Sequence, residues 1–140
     1  MKNILVVKAN NRPDGISTKM YEAFMEEIKN AEGYNVSTFD VFAENLTYFG
    51  QDLFNAFGKM QNGEELTAIE QASVDSMNKA RQALSPADIV VFAFPLWNQT
   101  IPAALQSFID YTYGAGYSFK YNEQGQLVSL MTDKKYIVLN

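Results

Sequence analysis

The run Ile89-Val90-Val91-Phe92-Ala93-Phe94-Pro95-Leu96-Trp97-Asn98-Gln99-Thr100-Ile101-Pro102 decides the fold of this chain. Six consecutive apolar residues, Ile89 to Phe94, three of them β-branched, show no polar alternation. That is the pattern of a strand buried on both faces, as in the middle of a parallel sheet. Pro95 ends the strand because it has no N–H to give the ladder, and Pro102 suits the first turn of a following helix. The residues between them form a loop at a strand's carboxyl end, where open α/β sheets bind ligands. Trp97, the only tryptophan, lies in that loop beside Asn98 and offers a flat apolar face next to an amide. Two readings fit Trp97: a wall for a flat heteroaromatic ligand, or a cap over the core.

Working outward, Asn3 to Lys8 is a second β-branched run without alternation and predicts another interior strand. The turn-forming segment Ala9 to Thr18 follows, and Met20, Phe24, Ile28 and Ala31 then recur at helical spacing. A helix beginning there exposes unpaired N–H groups and the positive end of its dipole, so this loop can hold a phosphate without a basic cluster. Ser17 either belongs to such a site or is the N-cap of the helix. Asn35 to Asp40 alternates, as an outer strand does. Residues 41 to 66 carry Phe42, Leu46, Tyr48 and Phe49, then Leu53, Phe54, Phe57 and Met60 at helical spacing. They predict an inserted helical element packed on the domain, with a roof over a ligand or a face toward a second subunit as the alternatives.

Thr67-Ala68-Ile69-Glu70 matches a capping box, with Ile69, Ser73, Met77, Ala80 and Leu84 continuing along one helical face. After Pro102, Leu105, Phe108 and Ile109 form the buried stripe of another helix, which Gly114 and Gly116 end. Tyr117 to Tyr121 and Leu127 to Met131 flank the turn formers Asn122-Glu123-Gln124-Gly125 and predict a small hairpin; Tyr136 to Leu139 is a last strand.

With 140 residues, 47% of them hydrophobic, the chain suits a single domain, residues 1–140. It has no cysteine and no histidine, which excludes thiol nucleophiles, histidine bases, disulfide frameworks and the common zinc sites. A net charge of -5 and a pI near 4.6 disfavour nucleic acid and anionic membrane as partners. No run reaches transmembrane length, and Ile4 to Val7 is too short for the core of a signal peptide. A cytoplasmic location is the expectation.

Strands alternating with helices imply an α/β, doubly wound parallel sheet. The flavodoxin-like strand order 2-1-3-4-5 places the loop after the first strand and the loop after the third at one switch point. A ligand with a phosphate at one end and a planar ring at the other would span both loops, and FMN is such a ligand. The segments Val-Val-Lys-Ala-Asn-Asn-Arg-Pro at 6–13, Phe-Ala-Phe-Pro-Leu-Trp-Asn at 92–98 and Ala-Gly-Tyr-Ser-Phe-Lys-Tyr at 115–121 resemble FMN-dependent NADH azoreductases, a family that also reduces quinones.

The resemblance implies that Pro95, Leu96, Trp97, Asn98 and Gln99 line the isoalloxazine, with Asn98 and the backbone N–H groups of the loop facing N5 and O4. It also implies that Asn10, Gly15, Ile16 and Ser17 meet the phosphate. Gly15 stands where the family commonly has a hydroxyl, a loss for which Thr18 is the expected compensation. NADH as co-substrate, quinone or azo acceptors, ping-pong hydride transfer through flavin N5 and a homodimer follow as expectations from the same resemblance. The chemistry resides in the cofactor, so no catalytic side chain and no metal are expected. The family's domain continues past the last strand into a flavin-contacting loop, a fifth strand and a helix. The chain is therefore expected to be a C-terminally incomplete domain lacking strand 5, with residues 136–139 as an exposed apolar edge. A noncatalytic, flavodoxin-like electron carrier, or a fragment with fold but no activity, is the alternative.

Overall fold

The computed structural model describes residues 1–140. Its elements are β1 (Lys2–Lys8), α1 (Ile16–Ile28), β2 (Tyr34–Asp40), α2 (Val41–Glu44), α3 (Gln51–Asn62), α4 (Ala68–Leu84), β3 (Ile89–Ala93), α5 (Ala103–Thr112), β4 (Phe119–Tyr121), β5 (Leu127–Ser129) and β6 (Lys135–Leu139). Four parallel strands form one sheet in the order β2-β1-β3-β6, and β4-β5 is a separate antiparallel hairpin. These are the first four places of the expected flavodoxin-like order.

The unalternated strands explain the layering. Leu5, Val7 and Val90 point into one core with residues of α3, α4 and α5, whereas Ile4, Val6 and Val91 point into a second core covered by Tyr21, Phe24, Met25 and Ile28 of α1. Each fully buried aliphatic side chain of this kind contributes about 1.5–3 kcal/mol, so both helical layers are held by the same short strands. The register Lys8↔Asp40 and Lys8↔Ala93 aligns the ends of β1, β2 and β3, so the segments after them emerge side by side. β6 pairs with β3 on one edge, and its Tyr136, Ile137 and Val138 are exposed, as expected of an apolar edge strand.

Several helical details differ from the expectation. α1 is capped by Gly15, which makes no side-chain cap bond; Ser17 lies buried inside the first turn and is not the N-cap. Ala31 lies beyond the helix, and Pro102 is the N-cap of α5, one position before its first turn. The capping box of α4 is present, with Thr67 accepting from the Glu70 N–H and the Glu70 carboxylate from the Thr67 N–H. Its buried face, however, runs through Ser73, Val74, Ser76, Ala80 and Leu84, and Ile69 is 56% exposed. Ser76 is drawn inward by Thr47, whose N–H and hydroxyl both lie within hydrogen-bond reach of the Ser76 hydroxyl at 3.0 and 3.2 Å.

The inserted segment is also corrected. Leu53 and Ala56 are the residues of α3 that turn inward, whereas Phe54, Phe57 and Met60 are 53, 38 and 54% exposed. α3 packs chiefly on α4, through a narrow stripe fastened by Lys59 against the buried Glu70 at 2.8 Å. Phe54 lies to one side of this stripe and meets the Phe49 ring edge-on with centroids 5.5 Å apart, and Phe57 and Met60 sit beside it at the surface. No helix is long and apolar enough to cross a membrane.

Candidate functional site

A cleft of about 560 Å³ opens beyond the ends of β1 and β3, and it is the largest described in the molecule. It brings together Asn10, Gly15, Ile16 and Ser17 from the first loop with Pro95, Leu96 and Trp97 from the second. One side is built of unpaired donors. Gly15 donates to the Arg12 carbonyl at 3.1 Å, and Lys19 is the first helical residue to bond back, to Gly15, also at 3.1 Å. The N–H groups of Ile16, Ser17 and Thr18 are left without backbone partners or a side-chain cap. No acidic residue lies in this first turn, so nothing there neutralises the positive end of the helix dipole.

Asn10 forms the floor and is only 1% exposed. Its amide nitrogen donates to the carbonyls of Ser17 and Ala93 at 3.4 and 3.3 Å. Because both partners are acceptors, the amide cannot turn over, and its oxygen remains buried without a donor. Such a group carries a penalty of about 1–3 kcal/mol until a donor reaches it. At the mouth, Arg12 and Asp14 pair at 2.9 Å, both well exposed. Their mutual hydrogen bond, ahead of simple charge attraction, raises the Arg12 pKa and lowers that of Asp14. Arg12 therefore stays charged at the mouth, paired with Asp14, while the helix N–H groups lie deeper in the cleft.

The opposite wall is the loop after β3. Trp97 and Thr100 bridge one another, and the two residues between them, Asn98 and Gln99, both have left-handed backbones, with φ of 53° and 66°. This is a two-residue turn of the primed kind, suited to reversing a β-ribbon. It holds the Trp97 ring at the cleft, 38% exposed, against Phe42 with ring centroids 6.1 Å apart. Trp97 is therefore a wall of the cleft and not a cap over the core.

A family model described as the flavodoxin-like fold matches residues 2–140. The FMN-dependent NADH:quinone oxidoreductase of Brevibacillus brevis is 46% identical over 143 residues, covering 100% of this chain and 68% of that protein. FMN-dependent NADH:quinone oxidoreductase 1 of Bacillus subtilis is 42% identical with the same coverage of each. This chain belongs to the flavodoxin-like family of FMN-dependent NADH:quinone oxidoreductases. Solved structures agree. The azoreductase of Bacillus anthracis strain Sterne superposes with a TM-score of 0.86 at 43% identity, covering 99% of this chain and 67% of that one. An FMN-dependent NADH-azoreductase of the Ames Ancestor strain, solved in complex with FMN, gives 0.84 at 26% identity, covering 99 and 68%.

As a member of this quinone oxidoreductase family, the chain places its expected site residues unevenly. Asn10, Gly15, Ile16, Ser17, Pro95, Leu96 and Trp97 line the cleft; Thr18, Asn98 and Gln99 do not. The Thr18 hydroxyl donates to the Arg12 carbonyl at 2.7 Å and so clamps the loop. Asn98 and Gln99 are exposed at the tip of their turn, both with left-handed backbones. Arg12, Asp14 and Asn140 line the cleft without having been singled out in the sequence. For the first two, opposite charges flanking Pro13 in a turn-rich segment were the available signal. Gly15 earns its place sterically: a Cβ there would lie 3.2 Å from the Arg12 carbonyl and 3.4 Å from the Thr18 hydroxyl.

Proposed function

We propose that this protein is an FMN-dependent NADH:quinone oxidoreductase that also reduces azo compounds, working by ping-pong hydride transfer. The observation that carries this reading is the single cleft uniting the free N–H groups of Ile16 and Ser17, an orphaned buried acceptor and an aromatic wall. The residues fit FMN in that order. The N–H groups of Ile16 and Ser17 would hold the phosphate, as helix N-termini do. Asn10 would accept from a ribityl hydroxyl, which is a donor of the kind its oxygen lacks. Pro95, Leu96 and Trp97 would line the ring and exclude water from one side of it. FMN, when bound, would supply the redox chemistry, hydride acceptance from NADH through N5 and electron delivery to a quinone or azo acceptor. The chain's own task is to position, desolvate and hold the charge of the cofactor.

A homodimer belongs to the same reading, supported by the outward Phe54, Phe57 and Met60 of α3. The cytoplasm, where reduced nicotinamide is supplied, is the matching location. The test is FMN titration followed by anaerobic NADH addition and steady-state rates at varied NADH and quinone. Bleaching by NADH, reoxidation by quinone and parallel double-reciprocal lines are expected. FMN that binds but is not bleached by NADH would favour an electron carrier instead.

A further inference from the structure

Trp97 is steadied by an element that the cleft itself does not contain. Phe42, its ring partner, belongs to α2, a helix of four residues that has little stability of its own. Three contacts fix α2. Asp40 caps it, its Oδ1 accepting from the N–H groups of Phe42 and Ala43 at 3.0 and 3.3 Å. The other oxygen of Asp40 faces Lys8 Nζ, at the end of β1, at 3.6 Å. Val41 is buried in the main core, and Phe42 packs against that core. The far end closes through Asn45, in a left-handed conformation. Phe42 is thus set from the end of β2, and it reaches a loop that leaves β3, two strand positions away across β1.

The two rings of the pair line different spaces. Trp97 lines the 560 Å³ cleft, whereas Phe42 lines a neighbouring one of about 310 Å³ with Val41, Leu46 and Ala104. Thr100 holds the Trp97 backbone, but Phe42 is the aromatic ring in contact with the Trp97 ring. Without Phe42, the indole could tip toward the smaller space.

We infer that Phe42 is a positioning residue: capped by Asp40 and seated on the core, it holds Trp97 upright as the wall of the ring end of the cleft. The effect on flavin affinity rests on the function proposed above, whereas the contact itself does not. Trp97 is the only tryptophan, so emission excited beyond the tyrosine absorption band reads this one side chain. The experiment compares wild type, Phe42→Ala, Phe42→Leu and Phe42→Tyr, first free of flavin and then titrated with FMN and with riboflavin. In the flavin-free protein, Phe42→Ala should shift Trp97 emission to the red and raise its quenching by acrylamide, with Phe42→Tyr restoring both. An aromatic pair is worth a few-fold in binding, so Phe42→Ala should weaken FMN and riboflavin alike by about 3- to 10-fold. Phe42→Leu preserves the packing on the core and serves if the alanine variant fails to fold; it should reproduce the spectral change in weaker form. Wild-type emission and quenching in a folded Phe42→Ala or Phe42→Leu variant would overturn the inference. A wild type that binds no flavin would sink the proposed function, while the flavin-free spectra would still decide the contact.

Discussion

Trp97 and Thr100 exchange two backbone hydrogen bonds, 3.0 Å from the Trp97 N–H and 3.1 Å from the Thr100 N–H, each to the carbonyl of the other. The two-residue turn this closes requires left-handed backbones at Asn98 and Gln99. Asn tolerates that conformation, whereas a long side chain such as Gln meets its full steric penalty. Gln99→Gly should therefore stabilise the fold by about 0.5–1 kcal/mol, the relieved strain exceeding the added chain entropy. A thermal melt checks it, with a rise of about 2–4 °C expected. A lower melting point would show that Gln99 makes contacts worth more than the strain.

Ile16 offers a way to remove one of the proposed phosphate donors with little disturbance of the fold. It occupies the first position of α1, is 77% exposed, and follows Gly15, whose extended backbone (ψ 148°) tolerates a succeeding proline. Ile16→Pro should leave the melting point nearly unchanged. Its FMN affinity should fall by about tenfold, the loss of one charge-assisted hydrogen bond. Riboflavin, lacking the phosphate, should bind as before. Equal losses for the two ligands in a fluorescence titration would mean that this helix end does not hold the phosphate.

The Lys59–Glu70 pair gives a pH dependence with a defined sign. A hydrogen bond from Lys59, then one from the Thr67 N–H, holds the Glu70 carboxyl below its ordinary value of 4.5. A carboxyl lowered in the folded state adds stability above its unfolded value, and that stability is lost as the pH falls through the folded value. Urea midpoints should thus fall more steeply below about pH 4.5 in wild type than in Glu70→Gln, which lacks the titrating group. Parallel curves for the two proteins would remove Glu70 from the acid sensitivity.

The exposed apolar side chains of α3 bear on assembly. Phe57 is 38% exposed, lies between Phe54 and Met60 beside the buried stripe of the helix, and makes no part of the buried core. Phe57→Asp should convert a dimer to a monomer in sedimentation or light scattering, with the far-UV spectrum unchanged. A wild-type monomer, or a variant that remains dimeric, would place any interface elsewhere.

Much of the architecture was readable before folding is considered, because the signals are local. Ile89 to Phe94 and Asn3 to Lys8 lack alternation, and a strand without a polar face requires cover on both sides. Pro95 and the Thr67–Glu70 box mark their boundaries through backbone chemistry within a few residues. The placing of two loops at one switch point followed from strand order, and the motif resemblance supplied the flavin. The tertiary structure decided which side chains had partners. It turned Ile69, Phe54, Phe57 and Met60 outward while Val74 and Ser76 went in, since helical spacing sets a face but not what stands opposite it. It committed the Thr18 hydroxyl to Arg12, buried the Asn10 oxygen without a donor, put Asn98 and Gln99 in a left-handed turn, and set Phe42 against Trp97. Each of these depends on groups meeting across a loop or between strands, and contacts closed by the chain's return carry no periodicity along it to be read.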